Sequence, residues 1–394
     1  MVKIKRYERP KFTLWGKNGT FPLVCTTPLD LPFLVLVLVL LSIGLIMLFS
    51  ASHANAFYYE ENSFVYIAKQ SVFALIGIFI MFAVSYVNYK FYRYIAAIAY
   101  IASFLLVCLT RFMPVHQGAR RWIVIGSFQF QPSEIAKVAL VLFLAHIIAK
   151  YYNRMNELKI GIFLMLAIMG IMVAPIFIQP HLSATVIFIG ITGAMMFTGG
   201  ARLKHLFVFA GIAVSAILIV LFLTPIGEQL FAHAHVRLQY WLDPFKDMQG
   251  KGYQSVQSLY AIGSGGVLGV GLGESRQKYM YLPEVQNDFV FAIVCEELGF
   301  IGAAVVVILF AMLVWRGYVI AMKCRDKFGS LVVIGLVTQI GLQAFLNIAV
   351  VTNTLPNTGI SLPFFSYGGT ALVVMLAQIG IILGVSRQCS YEKV

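Results

Sequence analysis

The chain has 394 residues, 60% of them hydrophobic and only 11% charged, with a mean hydropathy of +0.86 and a net charge of +13. Apolar runs of about 20 residues recur along it, which is the length that crosses a bilayer core, and this excludes an ordinary water-soluble domain. The positive balance reflects membrane topology and attraction to anionic lipid, and it excludes a nucleic-acid surface.

The apolar runs lie near residues 31–50, 67–87, 94–112, 134–149, 160–178, 183–198, 205–224, 289–315, 330–351 and 365–385. They predict an all-α polytopic membrane protein of ten spans, with residues 1–30 as a basic cytoplasmic tail, 31–385 as one membrane domain and 386–394 as a second cytoplasmic tail. With the N-terminus inside, 19 of the 29 basic residues fall on the cytoplasmic side, as the positive-inside rule requires. The first run is too long, and its basic leader too extended, for a cleaved signal despite Ala54-Asn-Ala56, so it is expected to be retained. Cys25, Cys324 and Cys389 fall on the cytoplasmic side and Cys108 and Cys295 within spans, so no disulfide and no cysteine metal site are expected.

Between the third and fourth spans, Gln117-Gly-Ala-Arg-Arg-Trp122 places Arg120 and Arg121 on the side the charge rule disfavours. Adjacent guanidiniums suit a pyrophosphate, which accepts paired hydrogen bonds, although a lipid headgroup or a structural ion pair would also use them. Gln131-Pro-Ser-Glu134 is a helix start with Ser133 as its cap, and Glu134 and Lys137 share one helical face, where an ion pair is expected.

Residues 225–288 form an extracytoplasmic segment between spans seven and eight that is too long for a turn, and such loops commonly carry function. Its Tyr240, Trp241, Phe245, Tyr253 and Tyr260 suit the headgroup zone, with short interfacial helices. The glycine-dense Gly263–Gly273 lacks the spacing and the strand-helix context of a nucleotide loop, and predicts unusual dihedrals or close approach to a headgroup.

The segment Tyr281-Leu-Pro-Glu-Val-Gln-Asn-Asp-Phe-Val-Phe291 then sets Glu284 and Asp288 at the mouth of the bilayer. An acid in such a place stabilises something or does chemistry. Asp288 is the candidate base, with capping of span eight as its structural alternative. Glu296 and Glu297 lie about two turns further into the span, where a structural ion pair or a neutral glutamate is expected. The turn 352–370, with two prolines and no charged residue, cannot be one continuous helix; it lines a wet cavity or forms a re-entrant turn.

Several of these segments, in this order, carry a resemblance: Gly118-Ala-Arg-Arg-Trp122, Gln131-Pro-Ser-Glu134, Gly252-Tyr-Gln-Ser-Val-Gln-Ser258, Leu282-Pro-Glu284 with Asp288-Phe289, Glu296-Glu-Leu-Gly299 and Leu362-Pro-Phe-Phe-Ser-Tyr-Gly-Gly369. The chain resembles the SEDS family (shape, elongation, division and sporulation) of FtsW, SpoVE and RodA, and Leu355-Pro-Asn-Thr-Gly-Ile-Ser361 looks closer to its division and sporulation members. The resemblance implies a peptidoglycan glycosyltransferase that polymerises lipid II at the outer face of the bacterial cytoplasmic membrane. It also implies a class B penicillin-binding protein and other division or sporulation proteins as partners. The family's catalytic acid falls on Asp288. The chain departs from the family at Gln286-Asn287, where His-Thr is common, and at His181, where an Asp is usual.

Such a reaction needs one base and one cationic clamp. Asp288 supplies the base. Arg120, Arg121, Lys137 and Lys278 are candidates for the pyrophosphate, Glu134, Glu284 and Ser366 complete the expected substrate-binding set, and a divalent cation (Mg or Mn) is a candidate cofactor. A lipid II flippase would use the same cations without a base, and a non-catalytic scaffold of the division machinery would need neither.

Overall fold

In a computed structural model the described residues are 12–13, 21–22, 28–114, 120–125, 128–179, 182–223, 239–250 and 252–389. Cys25, Gln117 to Ala119, His181 and Arg237 lie outside them. Two two-residue strands, β1 (Phe12–Thr13) and β2 (Phe21–Pro22), pair in parallel ahead of the helical part. The helices are α1 (Leu31–Glu60), α2 (Val65–Tyr86), α3 (Tyr89–Leu109), α4 (Pro132–Lys150), α5 (Met165–Ile178), α6 (Leu182–Thr198), α7 (Leu203–Leu223), α8 (Tyr253–Gly265), α9 (Val290–Lys323), α10 (Lys327–Val351) and α11 (Gly369–Cys389). A π-helical stretch, Lys159–Leu164, leads into α5.

Among the described residues eight segments are long and apolar enough to cross a membrane, from Leu31–Glu60 to Gly369–Cys389. The shorter apolar helix Ser183–Thr198, together with α7, stands where the sequence places its sixth and seventh spans. At 30 residues α1 outlasts the 20-residue apolar run expected of it, and at about 1.5 Å per residue it reaches past a bilayer core. Asp30 begins that helix by accepting from the backbone N–H of Phe33 at 3.1 Å. The same carboxylate takes a bidentate pair of bonds from Arg316 of α9, both 2.9 Å, tying the ends of α1 and α9 together.

The most buried helices are α4, α10 and α11. α11 lies along α2 at glycines, a packing that lets two apolar helices approach closely without a hydrophobic driving force: a Cβ on Gly380 would run into Met81, and one on Gly77 into Leu376. At the far ends of α9 and α11 the structure joins Cys324 and Cys389, with Cα atoms 4.9 Å apart, in a disulfide. This corrects the expectation of no disulfide. The compartment rule concerns redox poise, and a separation of 65 residues hides the fact that α10 leads away and α11 returns to the end of α9.

The segment before α4 forms a hairpin of β3 (Ile123–Ile125) and β4 (Phe128–Phe130). Helix α4 starts two residues earlier than expected, with Gln131 as N-cap and Pro132 in the first turn, where its fixed φ and missing N–H fit. Ser133 therefore lies inside the helix and does not cap it.

Candidate active site

The loop from Gly266 to Phe289 is anchored at one end by its glycines. Helix α9 is broken at Gly299 (φ 65°, ψ −169°), and the backbone of the glycine stretch enters the break. Val270 and Gly271 donate to the carbonyls of Glu296 and Glu297 at 3.0 and 3.1 Å, and Phe300 and Ile301 donate back to Gly266 and Val267 at 3.0 and 3.2 Å. A side chain on Gly269 or Gly299 would collide with the other backbone. The close approach is therefore to the protein's own helix and not to a headgroup, and the glycines bring backbone against backbone.

The two glutamates exposed by the break hold the loop that follows. Glu297 accepts from Ser50 at 2.6 and 2.7 Å and pairs with Lys278 at 3.0 Å, both charged side chains being sealed from solvent. Lys278 also donates to the carbonyl of Gly273. Glu296 accepts from Ser275 Oγ and from the N–H of Arg276, the latter at 3.0 Å. Lys278, a sequence candidate for the pyrophosphate, is therefore enclosed in a structural ion pair with no surface left for a substrate.

At the other end of the loop, α9 begins with Phe289 as N-cap and no side-chain cap bond. The capping role open to Asp288 is not used, and its carboxylate accepts no hydrogen bond among the described residues. Asp288 is half-buried. Burial, followed by the neighbouring Glu284 carboxylate, pushes its pKa up to about 6, with Arg121 opposing. Glu284 itself is exposed, sits at φ 52° and accepts from Asn287 at 2.6 Å.

The adjacent arginines diverge. Arg121, half-buried, donates from Nε to the carbonyl of Gln179 at 3.3 Å and lies close enough to Asp288 to act on its charge. Arg120 is exposed and donates to the carbonyl of Arg111 at 3.1 Å. The two guanidiniums thus bond carbonyls in different parts of the chain.

Lys137 is buried and bonded to Glu134 at 2.8 Å and to Gln343 Oε1 at 3.1 Å. Gln343 in turn donates to Ser361. Glu134 borders a groove of about 420 Å³ between α2, α4 and α11, walled by Phe73, Ile76, Ile135, Val373 and Val374. The 352–368 turn forms the remaining wall of the site and is satisfied largely by protein. Asn347 donates to Ile360, Gln70 bonds to Ser366 and Gly368, Ser183 donates to Thr358, and Trp241 exchanges bonds with Asn353 at 2.9 and 3.2 Å. Ser366 Oγ accepts from the N–H of Leu362 at 2.7 Å, so this expected substrate contact closes the turn on itself.

Asp288, Arg121 and Glu284 are thus brought together, Glu134 and Lys137 stand at the groove, and Arg120, Lys278 and Ser366 are engaged elsewhere. Sequence reasoning missed Gln343 and Asn347. Two amides one turn apart in an otherwise apolar span were the available signal. Among the described residues no three acids, histidines or cysteines converge.

The sequence profile of the cell cycle protein family of FtsW, RodA and SpoVE matches residues 31–391. The chain belongs to this family. It is 41% identical over 372 residues to stage V sporulation protein E of Bacillus subtilis (strain 168), covering 93% of this chain and 99% of that protein. It is 35% identical over 363 residues to a probable peptidoglycan glycosyltransferase FtsW of Geobacter sp. (strain M18), covering 91% and 97%. Among solved structures it is similar to a chain of a peptidoglycan synthase complex described as coordinating polymerization and crosslinking, with TM-score 0.74 and 27% identity over 92% of this chain and 98% of that one. It is also similar to the rod shape determining protein RodA of Thermus thermophilus, with TM-score 0.66 and 27% identity over 91% and 97%.

Proposed function

We propose that this protein is a peptidoglycan glycosyltransferase of the SEDS family, acting in cell division or sporulation, with lipid II as its substrate and Asp288 as its general base. The observation that carries this reading is the Asp288 carboxylate: uncapped, half-buried, raised to about pKa 6 and flanked by Arg121. The name of the FtsW relative agrees with the activity, and that of the sporulation relative with the process.

The chemistry follows from these groups. The 4-hydroxyl of an acceptor GlcNAc gives its proton to Asp288 as its oxygen attacks the anomeric carbon of a donor MurNAc. The bond from that carbon to pyrophosphate breaks with inversion, and undecaprenyl pyrophosphate leaves with the bonding pair. A base of pKa near 6 is largely ionised at neutral pH yet basic enough to assist, a contribution of about 10²-fold to 10⁴-fold. Arg121 offers a guanidinium to the negative charge that develops on the leaving group. The groove beside Glu134 is apolar and has room for part of a polyprenyl chain, and Lys137 is paired with that glutamate.

This reading places ten spans in the membrane with residues 225–288 outside and both termini in the cytoplasm, as the basic residues favour. A class B penicillin-binding protein is the partner that would crosslink the product, in keeping with the synthase complex that the fold resembles.

The test is polymerisation of lipid II by the purified protein with its partner, resolved on a gel for wild type and Asp288→Asn. Glycan polymer from wild type, with a folded and inactive variant, supports the proposal. Equal polymer from both removes Asp288 from the chemistry.

A further inference from the structure

A carboxylate that accepts no hydrogen bond must be placed by its backbone, and one buried amide reaches that backbone. Asn347 of α10 is 1% exposed. Its Nδ2 donates to the carbonyl of Asp288 at 2.8 Å and to the carbonyl of Ile360 at 2.6 Å, while its Oδ1 is buried with no partner among the described residues. Both partners are carbonyls, so only the NH₂ can face them, and the side chain is committed to donating.

We infer that Asn347 is a positioning residue for Asp288, clamping the segment that carries the base to the Gly359–Ile360 backbone and so setting where the carboxylate points. The inference rests on the reading of Asp288 as base. Two further observations bear on it. Gly359, next to the clamped Ile360, has φ 66°, and a Cβ there would stand 3.2 Å from Asp288 Oδ2. The clamp therefore brings a residue without a side chain against the carboxylate and keeps that side of it clear. One turn earlier, Gln343 bonds to Ser361 and to Lys137, so two amides about 6 Å apart on one helix hold consecutive residues of the turn, one against the base and the other against the buried lysine.

Other ties hold the loop nearby: Tyr367 donates its N–H to the carbonyl of Gln286 at 2.8 Å, Gln254 donates to the carbonyl of Pro283 at 3.2 Å, and the Asp288 N–H reaches the carbonyl of Glu284 at 3.4 Å. The side-chain bond to the Asp288 carbonyl itself comes from Asn347. A misplacement of about 1 Å costs on the order of 10²-fold in rate.

The experiment compares full-length wild type, Asn347→Ala, the uncharged Asn347→Leu of similar volume, which cannot donate, Gly359→Ala and Asp288→Asn. Each is assayed with the partner transpeptidase on lipid II for kcat, KM and the pH profile, per molecule folded by size-exclusion and melting. The charged groups facing Asp288 are Glu284 from its own loop and Arg121 from the segment before β3; Asn347 and Gly359 are uncharged. The expected result is kcat lower by about 10²-fold in the Asn347 variants, with KM unchanged and the acid limb of the profile displaced as the carboxylate moves relative to Glu284 and Arg121. Wild-type kcat per folded molecule with an unmoved acid limb, alongside an inactive Asp288→Asn, overturns the inference and leaves the base intact. Polymer from Asp288→Asn overturns the base reading and this inference with it. Should neither Asn347 variant fold, Gly359→Ala decides: a lowered kcat at unchanged KM sustains the clamp, and wild-type kcat ends it.

Discussion

Lys278 and Glu297 form an ion pair 3.0 Å long whose side chains are both closed to solvent, and it pins the segment before the candidate base into the break of α9. Glu297 is further held by Ser50 of α1, so three parts of the chain meet at one carboxylate. Removing one partner of such a pair leaves an uncompensated buried charge, which costs roughly 3–5 kcal/mol. Lys278→Met is expected to lower stability by that order, and the double variant Lys278→Met with Glu297→Gln to recover part of it. Unfolding of the detergent-solubilised protein, followed by melting temperature, measures both.

The same pair bears on how much was legible in the sequence. Membrane class and most helix positions followed from composition and periodicity, while Asp288 was singled out by one charged segment together with the family resemblance. The division of labour among cations did not. Lys278 and Arg120 look as available as Arg121 along the chain, yet one is buried against Glu297 and the other turns outward to Arg111. A long-range partner is invisible to local spacing, whereas Glu134 and Lys137, three apart on one helix, were readable as a pair and are 2.8 Å apart. The amides of α10 escaped notice because their partners, backbone carbonyls, the Ser361 hydroxyl and the Lys137 ammonium, come from distant parts of the chain and leave no mark in local spacing.

The pH dependence of polymerisation has a definite sign. A base acts deprotonated, so the rate is expected to rise with pH through about 6 and level off above it, falling about tenfold per unit well below that value. Glu284 raises the Asp288 pKa, so Glu284→Gln should shift the acid limb to lower pH. Initial rates of glycan formation across a pH series for the two proteins provide the check.

Arg121 acts in the opposite direction and is expected to matter twice. Arg121→Ala removes the charge that holds the Asp288 pKa down, so the acid limb should move to higher pH. It also withdraws a donor from the leaving pyrophosphate, where loss of one such group costs about 10²-fold to 10³-fold in kcat. Arg120→Ala, whose guanidinium is exposed and bonded to a carbonyl on another side, should change neither quantity appreciably. Equal effects of the two substitutions would mean that the arginines act as a pair after all.

The groove between α2, α4 and α11 makes a prediction about the substrate's tail rather than its sugars. Val374 and Ile76 wall it, and a bulky side chain at position 374 would occupy space that a polyprenyl chain would otherwise fill. Excluding two methylenes, at about 0.8 kcal/mol each, corresponds to a rise of about tenfold in KM. Val374→Trp should therefore raise KM for lipid II with its full tail while leaving kcat near wild type, because Asp288 and Arg121 are untouched. A lipid II analogue with a shortened chain should be turned over with little difference between the two proteins. Assays pairing both substrates with both proteins separate a tail site from general damage, since damage would depress kcat on the short substrate as well.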